Sequence, residues 1–310
     1  MRTRSAIAGR LKLRQLRLIV AIDEQASVLR AADALNISQP GATKLLKDAE
    51  RDLGVPLFDR TNRGMVATDY GRALVRHAKL ILSQLSHAAE ELDDLAEGTG
   101  GRVTVGTLLA ASASLLPTAI RQLREKRPRV SVAVIEGTND RLMPALGVGD
   151  IDFVVGRLPE FRFRDEFVQE PLFHEEVCVI VRAGHPLARR RRLDIAALAD
   201  SEWILPPPET TLRRQVEKAF HDAGVEAPRP VVQSVSLLTN RALLLATDMI
   251  GVWPRQVVLE DVRAGALAIL PVVLPAAAGP VGLSRRRNVI LSPAAQALVA
   301  ELKAAARVLA

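Results

Sequence analysis

The sequence predicts a multidomain chain: an all-α winged helix-turn-helix domain, a long linker helix, and a two-lobed α/β domain. Three observations support this fold class. Residues 27–53 hold two short apolar periodicities separated by a turn, and residues 74–95 hold a narrow apolar seam with heptad spacing. From residue 102 onward, short apolar strands alternate with helices. A chain of 310 residues has room for two or three such folding units.

Composition limits the class of protein. Apolar residues make up 48% and charged residues 25% of the chain, as in a globular protein, and no apolar run reaches membrane-spanning length. The basic N-terminus lacks the apolar core of a signal peptide, so we expect a cytoplasmic location. The single cysteine, Cys178, cannot form an internal disulfide and is expected in the core.

Positive charge is concentrated at the N-terminal end. Residues 1–63 carry 12 Lys and Arg against 7 Asp and Glu, a net charge of +5 out of +7 for the whole chain. Such an uneven distribution is typical of proteins that contact a phosphate backbone.

The segment 27–53 reads as a helix-turn-helix. Asn36 interrupts the first periodicity and suits a left-handed turn, while Ser38 and Pro40 are good starting residues for a second helix. The second helix would bury Ala42, Leu45, Leu46, Ala49 and Leu53 and expose a short, polar, basic face. The alternative is an ordinary helical hairpin.

The exposed face supplies candidate DNA contacts. Gln39 and Thr43 lie near the start of the second helix, where side chains can reach base edges, and Lys44 can bind guanine or phosphate. The remaining candidates would hold the backbone. The full predicted set is Ser27, Arg30, Ser38, Gln39, Pro40, Thr43, Lys44, Lys47, Arg60 and Arg63.

Two short strands are expected after the helix-turn-helix, around residues 57–58 and 65–67, with a turn at Gly64. They would form a wing that carries Arg60 and Arg63 to phosphate or the minor groove. A solvated basic turn is the alternative.

A long helix capped by Thr68 follows. Its apolar positions alternate in steps of four and three, a seam that one partner helix would cover. The predicted dimerisation residues are Leu74, Ile81, Leu85, Leu92 and Leu95. The alternative is a helix lying on its own domain. The Gly-rich segment 97–101 ends the helix.

The rest of the chain predicts βαβ units and a mostly parallel sheet in each of two lobes. The expected domains are residues 11–68, 69–98 and 101–310, with lobe I at about 101–173 and 269–310 and lobe II at about 174–268. A ligand is expected between the lobes, at the carboxyl ends of the strands.

Loops at those strand ends supply the candidate ligand contacts. Thr107, Thr138, Asn139 and Thr210 offer hydroxyl and amide groups, and Pro207 belongs to the loop 205–211 before a helix. Helix N-termini there would favour a carboxylate or another anion. Trp253 can stack on a sugar or an aromatic ring, with a core position as the alternative, whereas Trp203 is expected in the core.

The sequence argues against an enzyme. The five histidines are scattered, and none of the usual metal, nucleophile or phosphate-loop motifs occurs, so we expect no catalytic residue, no metal and no cofactor. A structural DNA-packaging protein would have no use for a two-lobed domain, and a free solute-binding protein would not carry a helix-turn-helix. The run of arginines at 189–192 is either a DNA contact or a solvated loop.

Several motifs together resemble the LysR-type transcriptional regulators over nearly the whole chain. They are L-R-Q-L at 13–16, R-A-A-D-A-L at 30–35, S-Q-P-G-A-T-K at 38–44, L-G-V-P-L-F-D-R at 53–60 and T-D-Y-G at 68–71. The resemblance is to the branch of sugar-related and protocatechuate-related regulators. It implies that the two-lobed domain is periplasmic-binding-protein-like (type 2) and binds an effector.

The resemblance also implies partners. Such regulators are homotetramers, built as dimers of dimers, that bind promoter DNA with and without inducer. The inducer changes DNA bending and contact with RNA polymerase. The resemblance further places effector contacts at Leu108, Ala110 and Thr138. The expected effector is a sugar, a sugar acid or an aromatic carboxylate.

Overall fold

The computed structural model describes residues 11–62, 64–97, 100–159, 166–274, 279–287 and 289–309. The chain forms two compact units, one made of Met1–Ala96 with Gly147–Asp150 and the other of Glu97–Leu146 with Ile151–Ala310. Each unit is built around its own buried apolar residues.

Three helices form the core of the first unit, α1 (Leu13–Gln25), α2 (Val28–Ala34) and α3 (Gln39–Leu53). The predicted buried face of α3 is confirmed, because Ala42, Leu46, Ala49 and Leu53 are buried and Leu45 packs against them. The predicted turn is confirmed too. Asn36 has a φ of 53°, and the Ser38 hydroxyl accepts the N–H of Gly41 at 3.3 Å.

The expected wing is present as the antiparallel strands β1 (Phe58–Thr61) and β2 (Gly64–Ala67). Gly64 has a φ of 108°, and a Cβ there would lie 2.4 Å from the carbonyl oxygen of Ala26. The next N–H, of Met65, donates to that same carbonyl at 2.9 Å. The wing is therefore fixed against the turn between α1 and α2, and only glycine fits at the contact.

The long helix α4 spans Asp69–Glu97. Its start is as predicted, since the Thr68 hydroxyl accepts the N–H of Gly71 at 3.0 Å. The first turns pack on the helical core through buried Val75 and Ala78 and partly buried Leu74. Further along, the described apolar side chains of the predicted seam are exposed.

The second unit contains two sheets. In chain order its elements are β3 (Arg102–Thr107), α5 (Leu109–Ser112), α6 (Leu115–Lys126), β4 (Ser131–Glu136), α7 (Asn139–Val148), β5 (Phe153–Arg157), β6 (Phe167–Glu175), β7 (Val177–Arg182), β8 (Trp203–Leu205), α8 (Thr211–Asp222), β9 (Val232–Gln233), α9 (Leu237–Ala246), β10 (Ile250–Pro254), α10 (Arg255–Arg263), β11 (Leu267–Ile269), β12 (Gly279–Arg286) and α11 (Pro293–Leu309).

The first sheet has the strand order β4-β3-β5-β12-β6 and the second the order β11-β7-β10-β8-β9. The chain crosses from the first sheet to the second between β6 and β7, and returns between β11 and β12. Helices α6 and α11 cover the first sheet through the core that contains Leu115, Leu123 and Leu298.

The prediction of mostly parallel sheets is wrong. In the first sheet β3, β4 and β5 pair in parallel, but β12 is antiparallel to both neighbours, β5 and β6. In the second sheet β7 is antiparallel to β10 and β11, while β8 is parallel to β9 and β10. The antiparallel strands β6, β7, β11 and β12 are those next to the two crossings between the sheets.

Both core assignments made for single residues are confirmed. Trp203 is fully buried, donates its Nε1–H to the carbonyl of Leu198 at 2.9 Å and meets Phe220 edge-on. Cys178 is buried in the second sheet. The arginines at 189–192 are exposed, in and after a short 3₁₀ turn. Among the residues that the structure describes, none of the helices combines the length and apolar character that a bilayer crossing needs.

Candidate functional sites

The outer face of α3 is polar and accessible. Gln39, Pro40, Lys44 and Lys47 are exposed, and Thr43 is half-buried. The apolar residues of α3 are directed into the helical core, so the polar face is not needed for packing within the described part of the unit.

The serines predicted to contact DNA have a structural role as well. The Ser27 hydroxyl accepts the N–H of Arg30 at 3.4 Å at the start of α2, as Ser38 does at the start of α3. The exposed guanidinium of Arg30 also donates to the carbonyl of Gln25. Arg60 is exposed on β1. Arg63 lies outside the described residues.

One residue that the sequence reading missed connects α3 to the wing. Oε1 of Glu50 accepts the backbone N–H groups of Leu57 at 2.8 Å and Phe58 at 3.4 Å. A glutamate on the helix thereby fixes where the first wing strand begins. An acidic residue in the last turn of the helix, before a Gly-Val-Pro break, is the available sequence signal.

A cavity of about 800 Å³ lies between the two sheets of the second unit. This volume is in the range of small-molecule sites. Its wall combines strand ends, helix starts and loops of both lobes. Its lining residues include Leu108, Ala110, Glu136, Thr138, Asn139, Arg141, Arg157, Glu209, Thr210, Arg214, Asn240 and Trp253.

The structure brings six of the eight predicted ligand contacts to this wall, namely Leu108, Ala110, Thr138, Asn139, Thr210 and Trp253. It places the other two elsewhere. Thr107 is 1% exposed because it ends β3 inside the lobe, where its hydroxyl donates to the carbonyl of Leu108 at 3.3 Å. Pro207 does not line the cavity, because the neighbouring Pro206 is the proline of this loop that contributes to its wall.

Three helices of ten or more residues begin at the cavity. Residues at or next to the starts of α7, α8 and α9, among them Asn139, Thr210 and Leu237, line it. The free N–H groups of a first helical turn carry partial positive charge. The cavity therefore favours negative charge on a ligand.

Trp253 has features of both predicted roles, a core residue and a residue of the ligand site. It is 3% exposed and packs with Cys178, Ile204 and Leu244, yet it also forms part of the cavity wall. A flat apolar ring at the wall offers a stacking surface to a sugar or an aromatic ring.

Charged side chains at the cavity separate into an exposed rim and a buried interior. Glu136, Arg141, Glu209 and Arg214 are exposed. Arg157, at the end of β5, is only 8% exposed. The sequence reading missed it, although an arginine directly after a buried apolar strand is an unusual position and could have been noted.

A buried carboxyl group lies near Arg157. Glu175, at the end of β6, is 3% exposed, and burial raises its pKa to about 8, while the charge of Arg157 acts to lower that pKa. The Glu175 side chain is therefore mostly uncharged at pH 7.

With the geometry described, comparisons with known proteins identify the family. Residues 13–72 match the bacterial regulatory helix-turn-helix protein, lysR family, and residues 96–307 match the LysR substrate binding domain. The chain belongs to the LysR family. It is a DNA-binding transcriptional regulator with an effector-binding domain, and this family consists of regulators, not enzymes.

Relatives within the LysR family align along most of the chain. The HTH-type transcriptional regulator GbpR of Azospirillum brasilense is 39% identical over 96% of this chain and 88% of its own length. GalR of Pseudomonas putida is 34% identical over 93% of this chain and 72% of its own. PcaQ of Agrobacterium fabrum is 35% identical over 90% of both chains.

A solved LysR-family structure has the same fold. The crystal structure of CbnR, a LysR family transcriptional regulator, covers 96% of this chain and 99% of its own, with a TM-score of 0.66 and 22% identity. The expected winged helix-turn-helix and two-lobed architecture of a LysR regulator is thus confirmed.

Proposed function

We propose that this LysR-type regulator binds promoter DNA as a dimer of dimers and changes DNA bending and transcription when a small molecule occupies the cavity of its second unit. One observation carries the proposal: a single chain combines an exposed basic helix-turn-helix face with a polar-rimmed cavity of about 800 Å³. It acts in the cytoplasm, where promoter DNA and RNA polymerase, its further partner, are found.

In this proposal α3 reads the operator. Gln39 and Thr43 contact base edges, Lys44 contacts guanine or phosphate, and Pro40 packs close to the DNA at the first helical turn. Ser27, Arg30, Ser38, Lys47, Arg60 and Arg63 hold the backbone. Two observations support this assignment. Except for Arg63, which lies outside the described residues, these side chains are exposed or half-buried, and residues 1–63 carry a net charge of +5.

The linker helix α4 pairs two chains. In support, Ile81, Leu85 and Leu92 are 44%, 46% and 67% exposed, although all three are large apolar residues. Leu74 has a different position, since it packs on its own helical core. The side chain of Leu95, the last residue of the predicted seam, is outside the described part of the helix.

The effector binds between the lobes, against Leu108, Ala110, Thr138, Asn139, Thr210 and Trp253. A sugar, a sugar acid or an aromatic carboxylate fits this wall, because hydroxyl and amide groups stand beside one aromatic ring. We divide the chain for this function into 11–68 for DNA binding, 69–98 for pairing and 101–310 for the effector, with lobe I at about 101–173 and 269–310.

A footprint series on the full chain tests the proposal. DNase I footprints on the DNA upstream of the neighbouring genes are recorded with and without sugars, sugar acids and aromatic acids, after a thermal-shift screen has selected binders. We expect a protected region whose extent or hypersensitive positions change with one of them. A footprint indifferent to every compound that binds the chain would point to a structural DNA-binding protein instead.

A further inference from the structure

Two asparagine side chains at the cavity wall have the same arrangement of hydrogen bonds. Asn139 begins α7, directly after β4 of the first sheet, and Asn240 lies in the first turn of α9, between β9 and β10 of the second sheet. Asn139 is half-buried, and Asn240 is 6% exposed. The wall therefore carries one amide from the side of each sheet.

The backbone fixes the orientation of both amides. Nδ2 of Asn139 donates to the carbonyl oxygen of Arg157 at 3.3 Å, and Nδ2 of Asn240 donates to the carbonyl oxygen of Ser234 at 3.3 Å. A carbonyl oxygen can only accept a hydrogen bond, so the amide nitrogen must face it in each pair. Oδ1 of each asparagine is consequently the end of the amide that remains for another contact.

The two Oδ1 atoms lack that contact. Both are buried, and neither has a hydrogen-bond partner among the residues that the structure describes. A buried acceptor without a donor destabilises the folded chain, and a group that supplies an N–H or O–H removes this penalty. Because both residues line the cavity, a molecule inside it is placed to supply both donors.

The hydroxyl of Thr210, on the same wall, has already used its proton. It donates to the carbonyl of Pro207 at 2.7 Å and accepts the N–H of Arg213 at 3.3 Å. Thr210 can therefore offer a ligand a lone pair but no proton. Like the two asparagines, it favours a ligand that donates hydrogen bonds.

We propose that Asn139 and Asn240 each accept a hydrogen bond from a hydroxyl group of the effector, which is a monosaccharide or its aldonic acid. This inference deepens the effector site of the proposed function and rests on it. An unsubstituted aromatic carboxylate is ionised at pH 7 and has acceptors only, so it would leave both amide oxygens unpaired. A monosaccharide carries several hydroxyl groups around a ring whose apolar face suits Trp253.

Isothermal titration calorimetry of the full chain at pH 7 provides the test. The hydroxylated probes are glucose, galactose, arabinose and their aldonates, and the probes without a donor are hexanoate and benzoate. We expect at least one hydroxylated probe to bind more tightly than hexanoate and benzoate, by roughly tenfold or more. Single-deoxy derivatives of the tightest binder then locate the hydroxyl groups in contact, since each should lose about 10- to 100-fold in affinity.

Two variants assign these hydroxyl groups to their acceptors. Asn139→Leu and Asn240→Leu remove the acceptors with little change in volume. In each variant one deoxy derivative should bind as well as its parent sugar, while the loss caused by the other derivative should persist. This readout compares two ligands on the same folded protein, so a general effect of the substitution on stability does not move it.

Gln122→Leu is the matched control. Gln122 lies in α6, outside the cavity wall, and its Oε1 is buried and unpaired like those of the two asparagines. Its replacement removes an unpaired amide away from the ligand and should leave every affinity unchanged. The deoxy series on the wild-type chain remains a test if a leucine variant does not fold.

Three results would overturn the inference. They are no binding by any hydroxylated probe, binding of hexanoate or benzoate as tight as that of the best hydroxylated probe, or a full loss for every deoxy derivative in both leucine variants. None of these affects the regulator proposal if another compound changes the footprint. A footprint indifferent to every compound that binds would refute the proposed function instead.

Discussion

Oε1 of Glu50 accepts the backbone N–H of Leu57 at 2.8 Å, which ties α3 to the start of the wing. Replacing Glu50 by Ala should remove the acceptor from a buried N–H and lower the free energy of unfolding by about 1–3 kcal/mol. Glu50→Gln keeps an acceptor oxygen and should cost less. Denaturant unfolding measures both, with Asp33→Ala, at an exposed acid of α2, as a control within about 0.5 kcal/mol of wild type.

The exposed cations of the first unit should each contribute to salt dependence. Arg60→Ala and Lys47→Ala are expected to weaken binding to every DNA sequence and to reduce the slope of log affinity against log salt by about 0.9 per lost phosphate contact. Gel-shift titrations over a range of salt concentrations measure the slope. Arg121→Ala, an exposed arginine paired with Glu125 in the second unit, should leave it unchanged. If the slope of log affinity against log salt in Arg60→Ala equals that of wild type, the proposed contact between the wing and phosphate is wrong.

Pairing through α4 should depend on its exposed leucines. Leu85→Asp would bury a charge in the proposed interface, so we expect a shift from dimer or tetramer to monomer and a matching loss of DNA affinity. Analytical ultracentrifugation reports the mass. Ser86→Asp puts the same charge on an exposed position off the seam and should not change the assembly. A monomeric wild type would contradict this prediction.

Glu175 should make the fold less stable as pH rises. Its pKa is about 8 in the folded state against an ordinary value of 4.5, so the unfolded chain loses its proton first. Stability contributed by the protonated form is complete below about pH 4.5 and is lost progressively up to about pH 8. Glu175→Gln should therefore stabilise the chain at pH 8 more than at pH 5, by a few kcal/mol. Urea unfolding measures the free energy of unfolding of Glu175→Gln and of wild type. If the two proteins differ by the same amount at pH 5 and at pH 8, burial does not raise the pKa of Glu175 as assigned.

Much of this organisation could be predicted from local patterns. The cap at Ser38, the turn at Asn36, the buried face of α3 and the start of α4 at Thr68 each follow from a few adjacent residues, and the structure confirms them. Strand direction did not follow, because whether β12 runs with or against β5 depends on a pairing between residues more than 120 positions apart.

The same limit applies to the cavity. Six of the predicted positions line the cavity. Thr138, Asn139, Thr210 and Trp253 were predicted from their places near strand ends, whereas Leu108 and Ala110 came from the resemblance to LysR-type regulators. Arg157 could have been noted as a charged residue directly after a buried apolar strand. Its relation to Glu175 could not be predicted, because Gly279 comes to lie between the two residues only in the folded sheet. Their relation exists only in the assembled sheet.

The strand order of the first sheet has a consequence for synthesis on the ribosome. In the described structure β6 pairs only with β12, and β12 is the last of the described strands. The second lobe, which is contiguous from β7 to β11, can therefore complete its sheet before β12, the strand that joins β6 to the rest of the first sheet, has been made. We expect a released chain that ends at residue 274 to protect β7–β11 from protease while β6 stays cleavable, so the second lobe can complete its sheet before the first.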